Sequence, residues 1–318
     1  MKHAFIVLAH GNTTILEKCM NALDDARFDF YIHIDKKTEL TDELRNRLRL
    51  SCVNSNVYIM EDRVSVIWGY YSMIIAEFIL MKAVVESNCN YDYVHLISGA
   101  DFPLMTPNEL DSFFEINKGK EFVRIWGKNG EQNGEGNWRM NYRYPFLKCY
   151  HRKGIKYYDN FQKLLYSRIL RFPRKKGTNI IKDANFKVYS GDQWFSFTGD
   201  FIKYIVSQRD YLYPFFKDCY IVDECIPSTL IRNTAGFSDK HCNFFTREID
   251  WTRGRPHVWE DTEFDYNKLI GSKAVFARKF SVENIGIVDK LTEELERRKN
   301  SGNERTAKVV SSNFLMRA

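Results

Sequence analysis

The sequence predicts an α/β protein built on a doubly wound, largely parallel sheet. Three observations lead there. The chain opens with a continuous apolar run, AFIVLAHGN at 4–12, that stops at a turn, as a strand buried on both faces does. Strand-like and helix-like segments then alternate along the N-terminal third. Three of those strands end in small polar clusters: His10-Gly11-Asn12, His33 with Asp35 and Lys36, and Ser98-Gly99 with Asp101. Ligands of such sheets bind outside the carboxyl ends of the strands.

The elements follow in order. TTILEKCMNAL at 13–23 places Ile15, Leu16, Cys19, Met20 and Leu23 at helical spacing. FDFYIHIDKK at 28–37 reads as the second strand and NVYIM at 56–60 as a short third. YYSMIIAEFILMKAVVE at 70–86 is the strongest helix, with Ser72 at its start. YDYVHLISGADFPL at 91–104 reads as a fourth strand running into a Gly-Ala-Asp loop. GKNGEQNGEGNW at 127–138 is a loop. Strand and helix signals return in YSGDQWFSFTGDFIKYIVSQ at 189–208 and break near Pro214. A helix start is expected near Pro227, and strand-like apolar residues recur in 244–259 and 274–281. A charged helix near 283–299 precedes a polar tail expected to fray.

The chain has 318 residues, 44% of them apolar, enough for one large core. We expect one domain over 1–282 with a variable basic and aromatic insertion at 127–188, then a C-terminal helix and tail at 283–318. Charge is concentrated in that insertion: twelve Lys and Arg lie between Arg139 and Lys176, against Asp159 alone. Such a block is an ordinary solvated loop or a surface for anions or acidic lipid. The seven cysteines form no C-x-x-C pair and read as reduced thiols of a reducing compartment. The N-terminal apolar run is too short for a signal peptide, and no run is long enough to span a membrane. The expected location is cytoplasmic, with peripheral contact at the inner face of the cell membrane.

Several chemistries are disfavoured by missing motifs. There is no G-x-x-x-x-G-K-[ST], no G-x-G-x-x-G after the first strand and no G-x-S-x-G elbow. No two aspartates stand two residues apart, so an Asp-x-Asp metal bridge to a sugar diphosphate is absent. A protein that breaks a sugar–diphosphate bond without it needs fixed cations, for which Arg253, Arg255, Arg278 and Lys279 are the candidates. VDECIPSTL at 222–230 supplies an acid pair, which alone reads equally as a helix cap with a first-turn acid.

Seven blocks settle on a resemblance. HIDKK (33–37), VIWGYYSMIIAE (66–77), HLISGADFPL (95–104), GDQWFSFT (191–198), VDE (222–224), DWTRGRPH (250–257) and FARKF (276–280) together resemble the core-2/I-branching glycosyltransferases, glycosyltransferase family 14. That family includes β-1,6-N-acetylglucosaminyltransferases and protein O-xylosyltransferases. The blocks keep the family's order across most of 3–282, and the chain looks like a short bacterial member without membrane anchor or stem. VDE stands where Pro-Asp-Glu is more usual and retains both acids.

The resemblance implies a GT-A fold with a mixed central sheet flanked by helices, a UDP-sugar co-substrate, inversion at the anomeric carbon and no metal or other cofactor. It implies that Glu224 is the catalytic base and that Lys279, with Arg255 or else Arg253, holds the diphosphate. Arg278 is a second phosphate contact or a surface charge. His10, His33 and Asp35 fall at the nucleotide end, and Asp101 falls near the donor sugar or ribose or is a turn former. Gln193 and Trp194 fall at the sugar wall. Asp223 is expected to fix the turn beside the base and so to border the sugar site. Trp138, Arg139 and Tyr142 fall where family members contact acceptor, and Trp68 is expected in the core. N-acetylglucosamine is the expected donor sugar and xylose, transferred to a peptide hydroxyl, the alternative. The acceptor is a glycan or lipid-linked glycan of the cell surface, and no nucleic acid is expected. A lectin-like or nucleic-acid-binding protein and a nucleotidyltransferase are the competing classes. A Glu among Val222, Cys225 and Ile226 is partly desolvated, which strengthens a base.

Overall fold

The computed structural model describes residues 1–126, 142–143, 172–173, 187–254, 256–302 and 305, with backbone alone at 142–143 and 172–173. The first strands are β1 (His3–Ala9), β2 (Phe28–Ile34), β3 (Asn56–Ile59) and β4 (Tyr93–Ser98). They pair in parallel in the order β3-β2-β1-β4. Helices α1 (Thr14–Ala22), α2 (Asp42–Leu50) and α3 (Ser72–Glu86) supply the crossovers. After β5 (Asp101–Pro103) and α4 (Pro107–Ile116), the sheet is extended by β6 (Glu121–Phe122). Strands β7 (Tyr142–Arg143) and β8 (Phe172–Pro173) form a separate pair. β9 (Ser196–Thr198) lies antiparallel between β4 and β6, and β10 (His241–Cys242) closes the far edge. The result is a seven-stranded mixed sheet flanked by helices, the architecture the sequence predicts.

Alternation along β1 divides the core. Phe5, Val7 and Ala9 face the layer of α1, while Ala4 and Ile6 face that of α3. The α3 layer also holds α5 (Gly199–Ser207), α6 (Arg209–Phe216) and α7 (Ile226–Asn233). The α1 layer holds α8 (Glu263–Gly271) and α9 (Ile285–Ser301). A three-stranded sheet, β11 (Arg247–Ile249), β12 (Phe276–Arg278) and β5, completes the fold.

Four details differ from the sequence reading. Helix α2 separates β2 from β3; its sequence, DELRNRLRL, buries only Leu44 and Leu48, so its apolar stripe is thin. The fourth strand divides at Gly99-Ala100 into β4 and β5, which belong to different sheets. Pro214 lies inside α6 rather than ending it. The C-terminal helix is not peripheral, because Ile287, Val288, Leu291 and Leu295 belong to the same core as β1 and α1.

Arg298 ties that helix down. Its guanidinium donates to both oxygens of buried Glu109, at 2.9 and 2.7 Å, and to the Leu104 carbonyl at 2.8 Å. Glu109 also closes a capping box with Thr106 at the start of α4. Removing one partner of a buried pair leaves the other charge uncompensated. Arg298→Met should therefore cost about 3–5 kcal/mol in chemical denaturation. Adding Glu109→Gln should recover part of it.

Candidate active site

The carboxyl end of β1 sits between two backbone contacts. Asp35 N–H donates to the Ala9 carbonyl at 2.8 Å, and Gly99 N–H donates to the Leu8 carbonyl at 2.9 Å. This places His10, the Asp35 turn and the Gly99-Ala100 turn at one end of the sheet. Asp35 is buried, and its carboxylate accepts the N–H groups of Lys37 at 2.8 Å and Val66 at 3.2 Å. His33 does not open toward the cleft. It is buried, its Nε2 accepts the Val64 N–H at 3.0 Å, and burial pushes its pKa down. The ring thus tethers the loop that carries Val64.

Strand pairing then brings FARKF to the same end. In the antiparallel register of β12 and β5, Arg278 stands opposite Asp101. Asp101 is fully buried and accepts from Arg278 at 2.9 Å, from Ser98 Oγ at 2.8 Å and from Ser98 N–H at 2.9 Å. Arg278 also donates to Ser98 Oγ, and its guanidinium lies 4.2 Å from the centre of the Trp194 ring. Asp101 is therefore the anchor of this pair rather than a sugar contact, and Arg278 is no loose surface charge. Lys279 follows it, half-buried. No acid lies within ion-pair reach of its ammonium among the described residues. Burial, and Arg278 next, lower its pKa. His10 lies in the field of Asp35, Lys279, Lys37 and Arg278, and its pKa is lowered chiefly by desolvation.

The acid pair is built from three converging segments. Val222–Glu224 forms a single 3-10 turn ahead of α7, and Pro227 falls in the first turn of that helix. The N-cap of α7 is Cys225, whose side chain makes no capping hydrogen bond. Ile221 N–H donates to the Gly69 carbonyl at 2.8 Å, and Gly191 N–H donates to the Glu224 carbonyl at 2.8 Å. Both glycines allow close approach. Gly69 has φ +71°, and a Cβ there would lie 2.6 Å from the Tyr220 ring. A Cβ on Gly191 would lie 2.3 Å from the Arg124 carbonyl and from Ser228 Oγ. Glu224 itself is half-buried and Asp223 buried.

Gln193 and Trp194 link the two halves. Gln193 Nε2 donates to Glu77 Oε1 at 2.7 Å, and α3, which carries Glu77, packs against the 222–224 turn. Neighbouring Asp192 is held by Arg124 at 2.7 Å and by the Trp126 indole N–H at 2.8 Å. Trp68 is 58% exposed, edge-on to Tyr220, and is not a core residue; the turn at Gly69 carries it outward.

Arg253 is already paired with two acids. It bonds Asp250 at 2.7 Å and Asp265 at 2.6 Å, acids also engaged by Lys268 and His257, so its charge fixes the 250–265 segment. Arg255, Trp138 and Arg139 lie outside the described residues, and of Tyr142 only the backbone in β7 is described. Among the described residues no three of His, Cys, Asp or Glu are grouped to hold a metal ion, and no helix is long and apolar enough to cross a membrane. Glu77 went unassigned by sequence reasoning. Its signal was an acid inside an otherwise apolar helix, SMIIAEFILM.

The family model for "Core-2/I-Branching enzyme" matches residues 3–269. The chain belongs to the Core-2/I-Branching enzyme family. Among curated relatives, it is 22% identical to Xylosyltransferase oxt of Drosophila melanogaster, over 87% of this chain and 31% of that protein. It is 23% identical to Xylosyltransferase 1 of Homo sapiens, over 91% of this chain and 30% of that protein. The chain thus spans about a third of the length of these relatives. Of solved structures, mouse xyloside xylosyltransferase 1 in its apo form aligns with TM-score 0.39 and 8% identity, over 89% of this chain and 99% of that one.

In this chain the glycine clamps carry a direct cost. Gly191→Ala should lose about 1–3 kcal/mol in thermal or urea unfolding, because backbone and a buried hydroxyl must move. Gly271→Ala, where a Cβ meets nothing within 4 Å, is the matched control and should leave the melting temperature unchanged.

Proposed function

We propose that the chain is an inverting glycosyltransferase that moves a sugar from a UDP-sugar to a glycan or peptide hydroxyl, without a metal ion. What carries the reading is Lys279, with no acid in ion-pair reach among the described residues, beside Arg278, which stacks on Trp194; adjacent Gln193 bonds Glu77 of the helix packed against the Asp223–Glu224 turn. Family membership supports the reaction class. Here xylose is placed ahead of N-acetylglucosamine as donor sugar, a choice supported by the names of the curated relatives, which are xylosyltransferases.

The chemistry is a single in-line displacement. Glu224 takes the proton of the acceptor hydroxyl as its oxygen bonds the anomeric carbon. The bond from that carbon to the diphosphate oxygen breaks on the opposite face, and its electron pair leaves with UDP. Lys279 and Arg278 meet the negative charge where a metal ion would otherwise stand. Asp101 keeps Arg278 aimed, and half-exposed Trp194 offers an apolar surface to a sugar ring.

Thermal-shift screening with UDP, UDP-xylose and UDP-N-acetylglucosamine, each with and without EDTA, tests nucleotide, sugar and metal together. A shift with UDP that EDTA does not remove agrees with the proposal; no shift with any of them overturns it. Glu224→Gln should lower kcat by about 10²-fold or more while UDP still binds. Near-normal turnover would remove Glu224 as the base. Lys279→Ala should raise the donor KM roughly tenfold or more, the scale of one charge-assisted bond.

A further inference from the structure

Glu77 is an acid in a place that resists acids. It sits in α3 among Ile74, Phe78, Leu80 and Met81, and none of its side chain reaches solvent. No cation pairs with it among the described residues. Oε1 accepts the Gln193 amide at 2.7 Å, while Oε2 is buried and has no hydrogen-bond partner among the described residues. A carboxylate is rarely left in such surroundings unless it does something the apolar alternative cannot. Its two neighbours indicate what. Gln193 lies two residues after Gly191, whose N–H holds the Glu224 carbonyl. Asp223, whose charge acts on Glu77, lies on the turn against which α3 packs.

We infer that Glu77 is a positioning residue: it ties Gln193 to the Asp223–Glu224 turn and so fixes the direction in which Glu224 points. The inference rests on the reading of Glu224 as the base. Desolvation, and after it the charge of Asp223, hold the Glu77 pKa well above the ordinary carboxyl value, so the group keeps its proton near neutral pH. A neutral carboxyl can accept from Gln193 through one oxygen and offer an O–H from the other. An ionised one would repel Asp223 and press the turn outward. Leu at this position would fill the space and Ala would vacate it, and neither would hold Gln193.

Three variants separate positioning from packing. Glu77→Ala and Glu77→Leu should lower kcat by about 10²-fold, the scale of a misplaced reacting group. Donor KM should change less than threefold, because the Lys279 side is untouched. Glu77→Gln, neutral and of the same shape, should recover most of the lost kcat. Full kcat in Ala and Leu overturns the inference. So does a Gln variant as impaired as Ala, or a loss that appears equally in melting temperature and donor KM. An independent readout needs no turnover. The infrared difference between wild type and Glu77→Gln at pH 7 should contain the carbonyl stretch of a protonated carboxyl, and its absence overturns the inference. Wild-type protein inactive with every UDP-sugar refutes the functional reading instead. The infrared band then still decides whether Glu77 is the neutral acid.

Discussion

The buried pair of Asp101 and Arg278 holds the site together. Asp101 begins β5 and Arg278 ends β12, neighbours in the small sheet, and the bonds of both to Ser98 at the end of β4 join that sheet to the large one. The pair also satisfies Ser98 at the tip of β4 and sets the guanidinium against Trp194. The next residue, Lys279, inherits its direction from that anchor. Without Asp101, two adjacent cations would meet in a half-buried cleft with nothing to orient them. With it, Arg278 is oriented, and Lys279 beside it has no acid within ion-pair reach among the described residues.

Charge is handled differently on the other side of the wall. Glu77 has no cation partner among the described residues and desolvation raises its pKa, whereas Glu224 is half-buried on a clamped turn. Arg247 shows the same economy for a base. It is buried with no acid partner within ion-pair distance among the described residues, donates to the Leu96 and Phe195 carbonyls, and desolvation lowers its pKa to about 10. It fastens β4 to the segment just before β9, directly behind Trp194.

Much of this was legible from the sequence. The apolar runs of β1, β2 and β4 and the helix beginning at Ser72 announced the sheet because both faces are buried. The blocks FARKF and GDQW meet in space, Arg278 on Trp194, although about eighty residues separate them in the chain. What escaped depends on long-range contact. Helix α2 is too charged to display a stripe. Trp68 looks like core material until the positive φ of Gly69 turns it outward. Arg253 reads as a free cation until Asp250 and Asp265 are seen to close on it. Glu77 lies in a helix apolar all round, where periodicity carries no information about which neighbour an acid will face.

The anomeric configuration of the transferred sugar decides between a one-step displacement and any alternative. A donor in which the sugar is α-linked to UDP, given to the wild-type enzyme with a competent glycan or peptide acceptor, should yield a β-linked product, read from the anomeric proton coupling by NMR. The proposed single displacement, with Glu224 as base, inverts the anomeric carbon. An α-linked product would require a second displacement or front-face attack and would contradict the assignment of Glu224 and Lys279.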